Sequence, residues 1–268
     1  MPDWLAALLR TKGEIKTEGV VPVLKQLLEQ NNTTKYAYLC HESVQHISKL
    51  KLEGGFCGYR NIQMLISYII ATGFEGQEHF QGRLPTIFEI QDFIENAWDR
   101  GINVQGRVET GGIRGTRKYI GTAEAQALCR SLAIPCTAQA FSDKKAGESE
   151  ARLLEAIETY FQTGASLGAS KVVCTTLAPV YFQHAGHSMT IIGFERRKHG
   201  TANLLVFDPS HRDTSAIRRL IGTTFGQKTP DSALETYRRG HKYLRRFREY
   251  ELLRLDKTHS PDRFTPRK

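Results

Sequence analysis

Apolar residues recur at helical spacing through much of the first half of the chain. The clearest run places five apolar residues at the i, i+3, i+4, i+7 and i+8 positions of one helix face: Ile62, Leu65, Ile66, Ile69 and Ile70. Similar patterns predict helices over six segments: 3–10, 20–30, 59–70, 87–97, 123–133 and 149–161. Thr86 or Pro85 starts the fourth of these helices, and Thr122 can cap the fifth. Between them, the segment 101–122 is rich in glycine and arginine and predicts a long surface loop.

Elsewhere, and mostly in the second half, short β-branched or aromatic runs alternate with turn residues. These runs predict strands over seven segments: 36–39, 134–141, 171–177, 180–183, 188–194, 204–207 and 250–255. Short connections between the later runs indicate an antiparallel sheet, and the polar segment 196–202 predicts a hairpin loop. The pattern therefore predicts an α+β protein in which a helical layer packs on an antiparallel sheet.

Length and composition refine this organisation. A chain of 268 residues that is 40% hydrophobic and 24% charged can bury a core of its own. We predict an N-terminal helical arm over 1–32, one domain over 33–256 and a disordered tail over 257–268. No apolar run approaches the roughly 20 residues that span a bilayer, and the N-terminus lacks a signal-peptide pattern, so we expect no membrane contact and a cytoplasmic or nuclear location.

Cysteine count and charge narrow the chemistry further. Five widely spaced cysteines with no C-x-x-C pair fit reduced thiols, and Cys40, His41 and His46 lack a second ligand pair at zinc-finger spacing. We therefore predict neither a metal nor a cofactor. The formal charge of +9 is concentrated in 238–248, where basic and aromatic residues alternate. This stretch is compatible with binding of single-stranded nucleic acid, and a solvated helix face is the alternative.

Cys57 is the candidate nucleophile. It lies among Gly54, Gly55 and Gly58, just where the helix over 59–70 should begin. Unpaired N–H groups and the helix dipole at such a position favour an anion and lower a thiol pKa. The flanking glycines allow another chain to approach closely, as an extended peptide substrate would. The alternative is a small buried hydrophobic residue under a turn.

His187 and Asp208 are the candidate partners of this thiol. His187 precedes the first strand of the predicted hairpin and Asp208 follows the second, so the two residues should be neighbours across an antiparallel pair whose turn is centred near Arg197. An aspartate there would fix the histidine tautomer, as in papain-like thiol proteases. A strand-capping histidine and an Asp-Pro turn are the alternatives. Gln45, in the segment leading to Cys57, is a candidate oxyanion donor or a surface amide.

Three motifs carry a family resemblance: GFCGYRNIQML at 55–65, YFQHAGHSMTIIG at 181–193 and LLVFDP at 204–209. With them the chain resembles the peptidases that act on the ubiquitin-fold modifier (peptidase family C78), and within them the zinc-finger-containing deubiquitinase branch. The resemblance implies a papain-like fold and cleavage of isopeptide bonds after the Gly-Gly tail of ubiquitin, in polyubiquitin chains, with Cys57 as nucleophile, His187 as base and acid, and Asp208 as orienting carboxylate.

The same resemblance separates the branches of the family. The modifier branch carries its histidine in an Asp-Pro-His motif, whereas this chain has Asp208-Pro209-Ser210 and must use His187. Gln45 stands twelve positions before the cysteine, where the modifier branch has an oxyanion-stabilising tyrosine. Zinc-finger spacing is missing from this sequence, which departs from the deubiquitinase branch. Activity on the ubiquitin-fold modifier or another ubiquitin-like protein, and a silent ubiquitin-binding module, stay as alternatives.

A ubiquitin tail carries arginines, which need acidic partners. The polar side of the helix over 87–97 and its end supplies three candidates: Asp92, Glu95 and Asp99. An ordinary exposed helix face is the alternative.

Overall fold

The computed structural model describes residues 1–143, 147–165 and 170–256, and the predicted tail over 257–268 lies outside them. In this part of the chain the strands are β1 Ile15–Thr17, β2 Thr34–Leu39, β3 His46–Ser48, β4 Cys136–Ser142, β5 Val172–Cys174, β6 Val180–His184, β7 His187–Arg197, β8 Ala202–Phe207, β9 Arg238–Gly240 and β10 Glu249–Leu255. Within the described ranges, eight of these strands form one sheet and β1 pairs with β3 in a second, small one.

Helices lie between the strands and cover the sheet. Their bounds are α1 Asp3–Lys12, α2 Val20–Gln30, α3 Cys57–Thr72, α4 Ile87–Asp99, α5 Val104–Thr110, α6 Thr122–Ser131, α7 Glu148–Gln162, α8 Ser215–Leu220, α9 Pro230–Leu234 and α10 His241–Leu244. Single 3-10 turns occur at Gln77–Phe80 and Glu235–Tyr237. The six predicted helices therefore form close to their predicted bounds, because each has an apolar face that the sheet or a neighbouring helix covers.

The long strand β7 is the centre of the main sheet. On one edge of β7, residues 187–191 pair with β6 and residues 193–197 pair with β2. On the opposite edge, β7 pairs with β8. All these pairs are antiparallel, as predicted, whereas β5 joins β2 in a parallel pair. The chain reaches β5 after crossing back through α7, and a crossover of this length is what a parallel neighbour requires.

The predicted hairpin register needs a correction of two residues. A turn centred after Arg197 would pair Thr190 with Leu205, but Thr190 pairs with Phe207, and a bulge shifts the register again between Ile191 and Gly193. Such shifts are not encoded in the alternation of apolar residues, because both faces of this strand are buried. The strand β10, predicted as the closing strand, pairs with β4 and β6.

Helix α3 is buried on nearly every side, from Cys57 to Ile69. Its predicted apolar face packs against the sheet, and its polar positions are buried as well. Arg60 and Glu53 form a fully buried ion pair, in which Arg60 also donates to Gln63 and to the carbonyl oxygen of Gly13. Because removing one member of such a pair leaves an uncompensated charge, this cluster fixes the loop before Cys57 and joins it to the N-terminal residues.

Residues of α1 and α2 pack into the same core as the rest of the chain, through Leu5, Leu9, Leu24 and Leu28 among others. The boundary at residue 32 therefore stays a prediction. Within the described ranges, no helix is both long and apolar enough to cross a bilayer.

The caps of two helices test the sequence patterns directly. Of the two predicted starts of α4, Thr86 and Pro85, Thr86 is the cap, and it forms a reciprocal box with Glu89. The prediction that Thr122 caps α6 was wrong, because Thr122 is the first helical residue and Glu124 instead accepts from the backbone N–H of Gly121. The Thr122 hydroxyl is buried without a hydrogen-bond partner.

Candidate active site

Cys57 is the first residue of α3, so its backbone N–H lies at the helix N-terminus, where no intrahelical acceptor exists. Two glycines beside Cys57 are required because other residues of the protein pack directly against their backbone. A Cβ on Gly55 would lie 2.5 Å from a ring carbon of Tyr119, and a Cβ on Gly58 would lie 2.6 Å from the carbonyl oxygen of Ile120. The segment that precedes α6 therefore crosses directly over the nucleophile loop, and only glycine backbone leaves room for it.

His187 and Asp208 meet beside the start of α3. His187 Nε2 lies 2.8 Å from Asp208 Oδ1, and the same oxygen accepts from the backbone N–H of Ser210 at 2.9 Å. His187 opens β7 after a tight turn in which Gly186 has a φ of 81°, a value that favours glycine. With Nε2 engaged by the carboxylate, the other ring nitrogen faces the Cys57 sulfur.

Arg239 completes the surroundings of Asp208 and was missed in the sequence. Its Nη2 donates to Asp208 Oδ2 at 2.8 Å, so both carboxylate oxygens are engaged. Burial raises the pKa of Asp208, but His187, the Ser210 N–H and Arg239 outweigh it and hold this pKa far below its usual range. In the sequence Arg239 is visible only as one of two adjacent arginines in the basic stretch 238–248. That pattern does not show which arginine is buried or which carboxylate it pairs with.

The thiol and the imidazole shift each other's protonation. Burial raises the pKa of the Cys57 thiol, but hydrogen bonds from His187 and Ser188 outweigh it and lower this pKa to about 7. Burial lowers the pKa of His187, while Asp208 and Cys57 raise it to about 9. Near neutral pH the pair therefore favours a thiolate beside an imidazolium.

Two other histidines lie near this group and have different surroundings. His184 Nε2 lies 2.7 Å from the Tyr243 hydroxyl, and its ring stacks on Phe247 with centroids 3.6 Å apart. Burial lowers the pKa of His184 to about 4, so this ring stays neutral. His211 is exposed and approaches only the far oxygen of Asp208, at 3.6 Å. Neither ring is placed between the thiol and the carboxylate as His187 is.

The prediction that Gln45 is an oxyanion donor was wrong. Its side-chain nitrogen donates to Glu18 at 3.1 Å, and its backbone N–H donates to the Ser67 hydroxyl at 3.1 Å. Ser67 lies nearly three helical turns beyond Cys57, about 15 Å along α3. The chain between Gln45 and Cys57 first forms β3 and then runs back along this helix, so sequence distance gave the wrong position.

Asp92, Glu95 and Asp99 are engaged within the protein. Asp92 accepts from Arg114 at 2.6 Å and Asp99 from Arg107 at 2.6 Å. Glu95 is buried, where it accepts from the backbone N–H of Ile113 and from Arg107. Glu95 is thus already occupied by backbone and arginine of the segment 101–122. Asp92 and Asp99 are more than half exposed in their pairs, so a contact with substrate arginines stays a prediction for these two residues. That segment is held by these contacts and contains α5, so it is not the long loop that was predicted.

The basic stretch 238–248 divides into two parts. Arg238 is buried in an ion pair with Glu195, and Arg239 with Asp208. Tyr243 and Phe247 pack around His184, as the helix-face alternative expects. The remaining basic side chains are exposed: Lys242, Arg245, Arg246 and Arg248. Nucleic-acid binding stays a prediction that concerns these four residues.

A thiol at a helix start, facing a histidine and a carboxylate on a sheet, is the layout of a papain-like thiol hydrolase. The comparisons with known proteins agree. Residues 33–253 match the profile of peptidase family C78. The mouse zinc finger-containing ubiquitin peptidase 1 is 32% identical over 260 residues, which cover 96% of this chain and 44% of the relative. The human protein of that name is 36% identical over 202 residues, or 74% and 34% of the two chains.

Two further similarities are more distant. The ubiquitin carboxyl-terminal hydrolase mug105 of Schizosaccharomyces pombe is 28% identical over 158 residues, which cover 58% of this chain and 60% of that one. The crystal structure of UfSP from C. elegans superimposes with a TM-score of 0.52 at 14% identity, covering 92% of this chain and 38% of that one, and supports the fold alone. The chain belongs to peptidase family C78 and is a cysteine peptidase. It spans less than half the length of the mouse and human relatives.

Proposed function

We propose that the protein is a deubiquitinase that hydrolyses isopeptide bonds after the Gly-Gly tail of ubiquitin, including those within polyubiquitin chains. Cys57 is the nucleophile, His187 the general base and then acid, and Asp208 the carboxylate that orients the imidazole. The observation that carries the proposal is the contact between His187 and Asp208 beside the thiol, at 2.8 Å. The names of the mouse and human relatives support ubiquitin as the substrate.

Ser210 favours ubiquitin over the ubiquitin-fold modifier. The resemblance places the histidine of the modifier branch at this position, after Asp-Pro. Here Ser210 contributes a backbone N–H to Asp208, and the imidazole comes from His187 instead. This pairing of His187 with Asp208 supports the deubiquitinase branch over the modifier branch.

The proposed reaction uses the charge state of the site. The Cys57 thiolate attacks the carbonyl carbon of the terminal glycine, and the backbone N–H of Cys57 at the helix start stabilises the resulting oxyanion. His187 gives its proton to the leaving lysine amine, which departs and leaves a thioester. His187 then takes a proton from water, which hydrolyses the thioester and restores the thiolate. Asp208 stays ionised throughout and holds the imidazole in place.

Two exposed apolar side chains near the thiol are available to the tail. Tyr119 is 68% exposed while its ring lies against Gly55, and Leu52, 69% exposed, lies in the loop before Cys57. Arg117 connects the two segments by donating to the carbonyl oxygen of Leu52. We expect a leucine-containing tail to pass along these two exposed side chains.

Covalent labelling tests this proposal. Two probes with an electrophile at the C-terminus are used, one built on ubiquitin and one on the ubiquitin-fold modifier. We expect a Cys57-dependent adduct with ubiquitin that Cys57→Ala abolishes and that Cys174→Ala, a control thiol away from the site, retains. An adduct with the modifier alone would overturn the substrate, and no adduct with either would favour a binding module. Cleavage of di-ubiquitin by the wild type then tests activity on chains.

A further inference from the structure

Arg239 is buried beside Asp208 and packs on an aromatic ring. Its Nη2 donates to Asp208 Oδ2 at 2.8 Å, and its Nη1 donates to the carbonyl oxygens of Thr236 and Arg238 at 3.0 and 2.9 Å. Its Nε is buried and has no hydrogen-bond partner among the residues that the structure describes. The guanidinium carbon lies 5.1 Å from the ring centroid of Tyr243, within the range of a cation–π contact. Hydrogen bonds therefore hold the two terminal nitrogens, and the Tyr243 ring is the aromatic surface under the group.

A hydrogen bond fixes the Tyr243 ring in turn. His184 Nε2 lies 2.7 Å from the Tyr243 hydroxyl, and His184 Nδ1 lies 3.0 Å from the carbonyl oxygen of Ala185. A carbonyl oxygen only accepts, so Nδ1 carries the ring hydrogen. Since burial keeps His184 neutral by lowering its pKa, Nε2 is an acceptor and the Tyr243 hydroxyl donates to it. The hydroxyl thus connects the ring to a side chain that is buried in the protein.

These contacts begin and end on the same tight turn. His184 is the last residue of β6 and His187 the first of β7, and the two residues pair across the turn. From His184 the contacts lead to Tyr243 of α10 and then to Arg239 of β9. Arg239 binds Asp208, and the other oxygen of that carboxylate lies 2.8 Å from His187. Two elements outside the turn therefore support the residue that carries the imidazole.

We propose that Tyr243 is a positioning residue for the reaction, because its ring holds the Arg239 guanidinium against Asp208. The carboxylate, held in this way, keeps the imidazole of His187 directed at the thiol. His184 contributes by fixing the ring. The inference rests on the catalytic group of the proposed function but not on the identity of the substrate.

Arg246 contacts the same ring and does not replace Arg239. Its guanidinium carbon lies 4.5 Å from the Tyr243 centroid, but its side chain is exposed. Solvent screens a charge at such a position, so the contact contributes little. His184 is neutral and adds no charge beside the ring. Arg239 is therefore the buried cation whose position depends on Tyr243.

The test is the pH dependence of Cys57 alkylation by iodoacetamide, followed by mass spectrometry of the peptide that contains Cys57. A displaced imidazole stabilises the thiolate less, so the alkylation midpoint should rise from about 7. Loss of the cation–π contact in Tyr243→Leu should raise it by about half a pH unit, and Tyr243→Phe, which retains the ring, should restore most of this shift. Tyr160→Leu is the matched control, since that hydroxyl donates to the Ala178 carbonyl oxygen at 3.0 Å and Arg254 lies 5.6 Å from its ring, away from the site.

A double variant shows whether the ring acts through Arg239. Arg239→Gln alone should raise the midpoint by about one pH unit, because a charge-assisted hydrogen bond to Asp208 is lost. Adding Tyr243→Leu to it should then change the midpoint by less than about 0.2 unit, since the guanidinium that the ring supports is already missing. A further shift of about half a unit in the double variant would overturn the proposal.

The Tyr160 control separates positioning from stability. If Tyr243→Leu and Tyr160→Leu lower the melting temperature alike and give equal midpoints, the Tyr243 ring only packs and the proposal is wrong. Should Tyr243→Leu fail to fold, Tyr243→Met decides, because an unbranched side chain fills the space without an aromatic face. Alkylation requires no ubiquitin, so failure of the ubiquitin probe would leave this result readable.

Discussion

Two short histidine–aspartate contacts in the described part of the chain both adjoin Asp208, yet they differ in what the second ring nitrogen meets. In the first, His187 lies 2.8 Å from Asp208, and its other nitrogen faces the thiol. In the second, His46 lies 2.9 Å from Asp213, and its other nitrogen meets the backbone carbonyl oxygen of Asp208 at 3.2 Å. His46 also stacks on Phe207, with centroids 4.6 Å apart.

The comparison shows that a short histidine–aspartate contact does not by itself indicate a general base. Both nitrogens of His46 face oxygen acceptors, so neither is available to take a proton from a substrate. The side chain of His46 is 2% exposed, whereas that of His187 is 22% exposed and adjoins the thiol. The second pair instead fixes the end of β8, and thereby the backbone that carries Asp208.

The largest expected effect is on the first pair. His187→Ala should lower the hydrolysis of a ubiquitin–fluorophore conjugate by about a thousandfold or more, because it removes both the activation of the thiol and the proton for the leaving group. Circular dichroism and thermal unfolding would check that the variant folds. Retention of more than about a tenth of the wild-type rate, in a folded variant, would remove His187 from the mechanism.

Breaking the second pair should affect stability instead. His46→Leu leaves the buried Asp213 carboxylate without its main partner and should lower the free energy of unfolding by about 3 kcal/mol. Urea unfolding measures this change, and the turnover of the folded fraction should stay within about tenfold of wild type. The opposite result, lost turnover with unchanged stability, would mean that His46 takes part in the chemistry and that the two pairs are not different in kind.

Two adjacent arginines sharpen the contrast. Arg239→Gln removes the donor to the second Asp208 oxygen, so hydrolysis should fall about tenfold as the imidazole loses its fixed orientation. Arg238→Gln is the matched control, because Arg238 pairs with the buried Glu195 instead. It should lower stability at unchanged turnover of the folded protein. Equal effects of both variants on turnover would show that the loss comes from the fold and not from Asp208.

The pH profile follows from the first pair. Activity needs the thiolate, which forms as pH rises through about 7, and the imidazolium, which is lost as pH rises through about 9. We expect kcat/KM for the fluorophore conjugate to rise through the first value and fall through the second. His187 has a raised pKa, so its ionisation stabilises the fold below the ordinary value near 6.5, and this contribution disappears as pH rises through about 9. A profile with no falling limb would contradict the proton donor.

The sequence predicted the parts of the fold and site that local pattern determines. Helix α3 begins at Cys57 because glycine and apolar spacing mark that start, and the hairpin brings His187 to Asp208 even though the register differs by two residues. The two side chains are long enough to make contact despite a register shift of this size. The same tolerance explains why the candidate site was found although the bulge in β7 was not predicted.

Long-range pairing could not be predicted in this way. Arg239 reaches Asp208 because β9 pairs with β8, and strand pairing across intervening helices leaves no periodic mark in the sequence. The partners of Asp92 and Glu95 depend likewise on where the segment 101–122 folds back. Charged residues were therefore assigned to substrate when the protein itself supplied their partners, since sequence alone shows a charge and not its neighbour.

The smallest expected effect concerns the residue next to His46 in the chain. Gln45→Ala should leave turnover within about twofold of wild type, because Gln45 contacts Glu18 and Ser67, far from the thiol. An oxyanion donor would instead cost about a hundredfold or more in turnover when removed. Hydrolysis of the fluorophore conjugate distinguishes these results, with His187→Ala as the variant that removes a group of the site. A hundredfold loss in a folded Gln45→Ala would require this segment to move to the thiol when substrate binds.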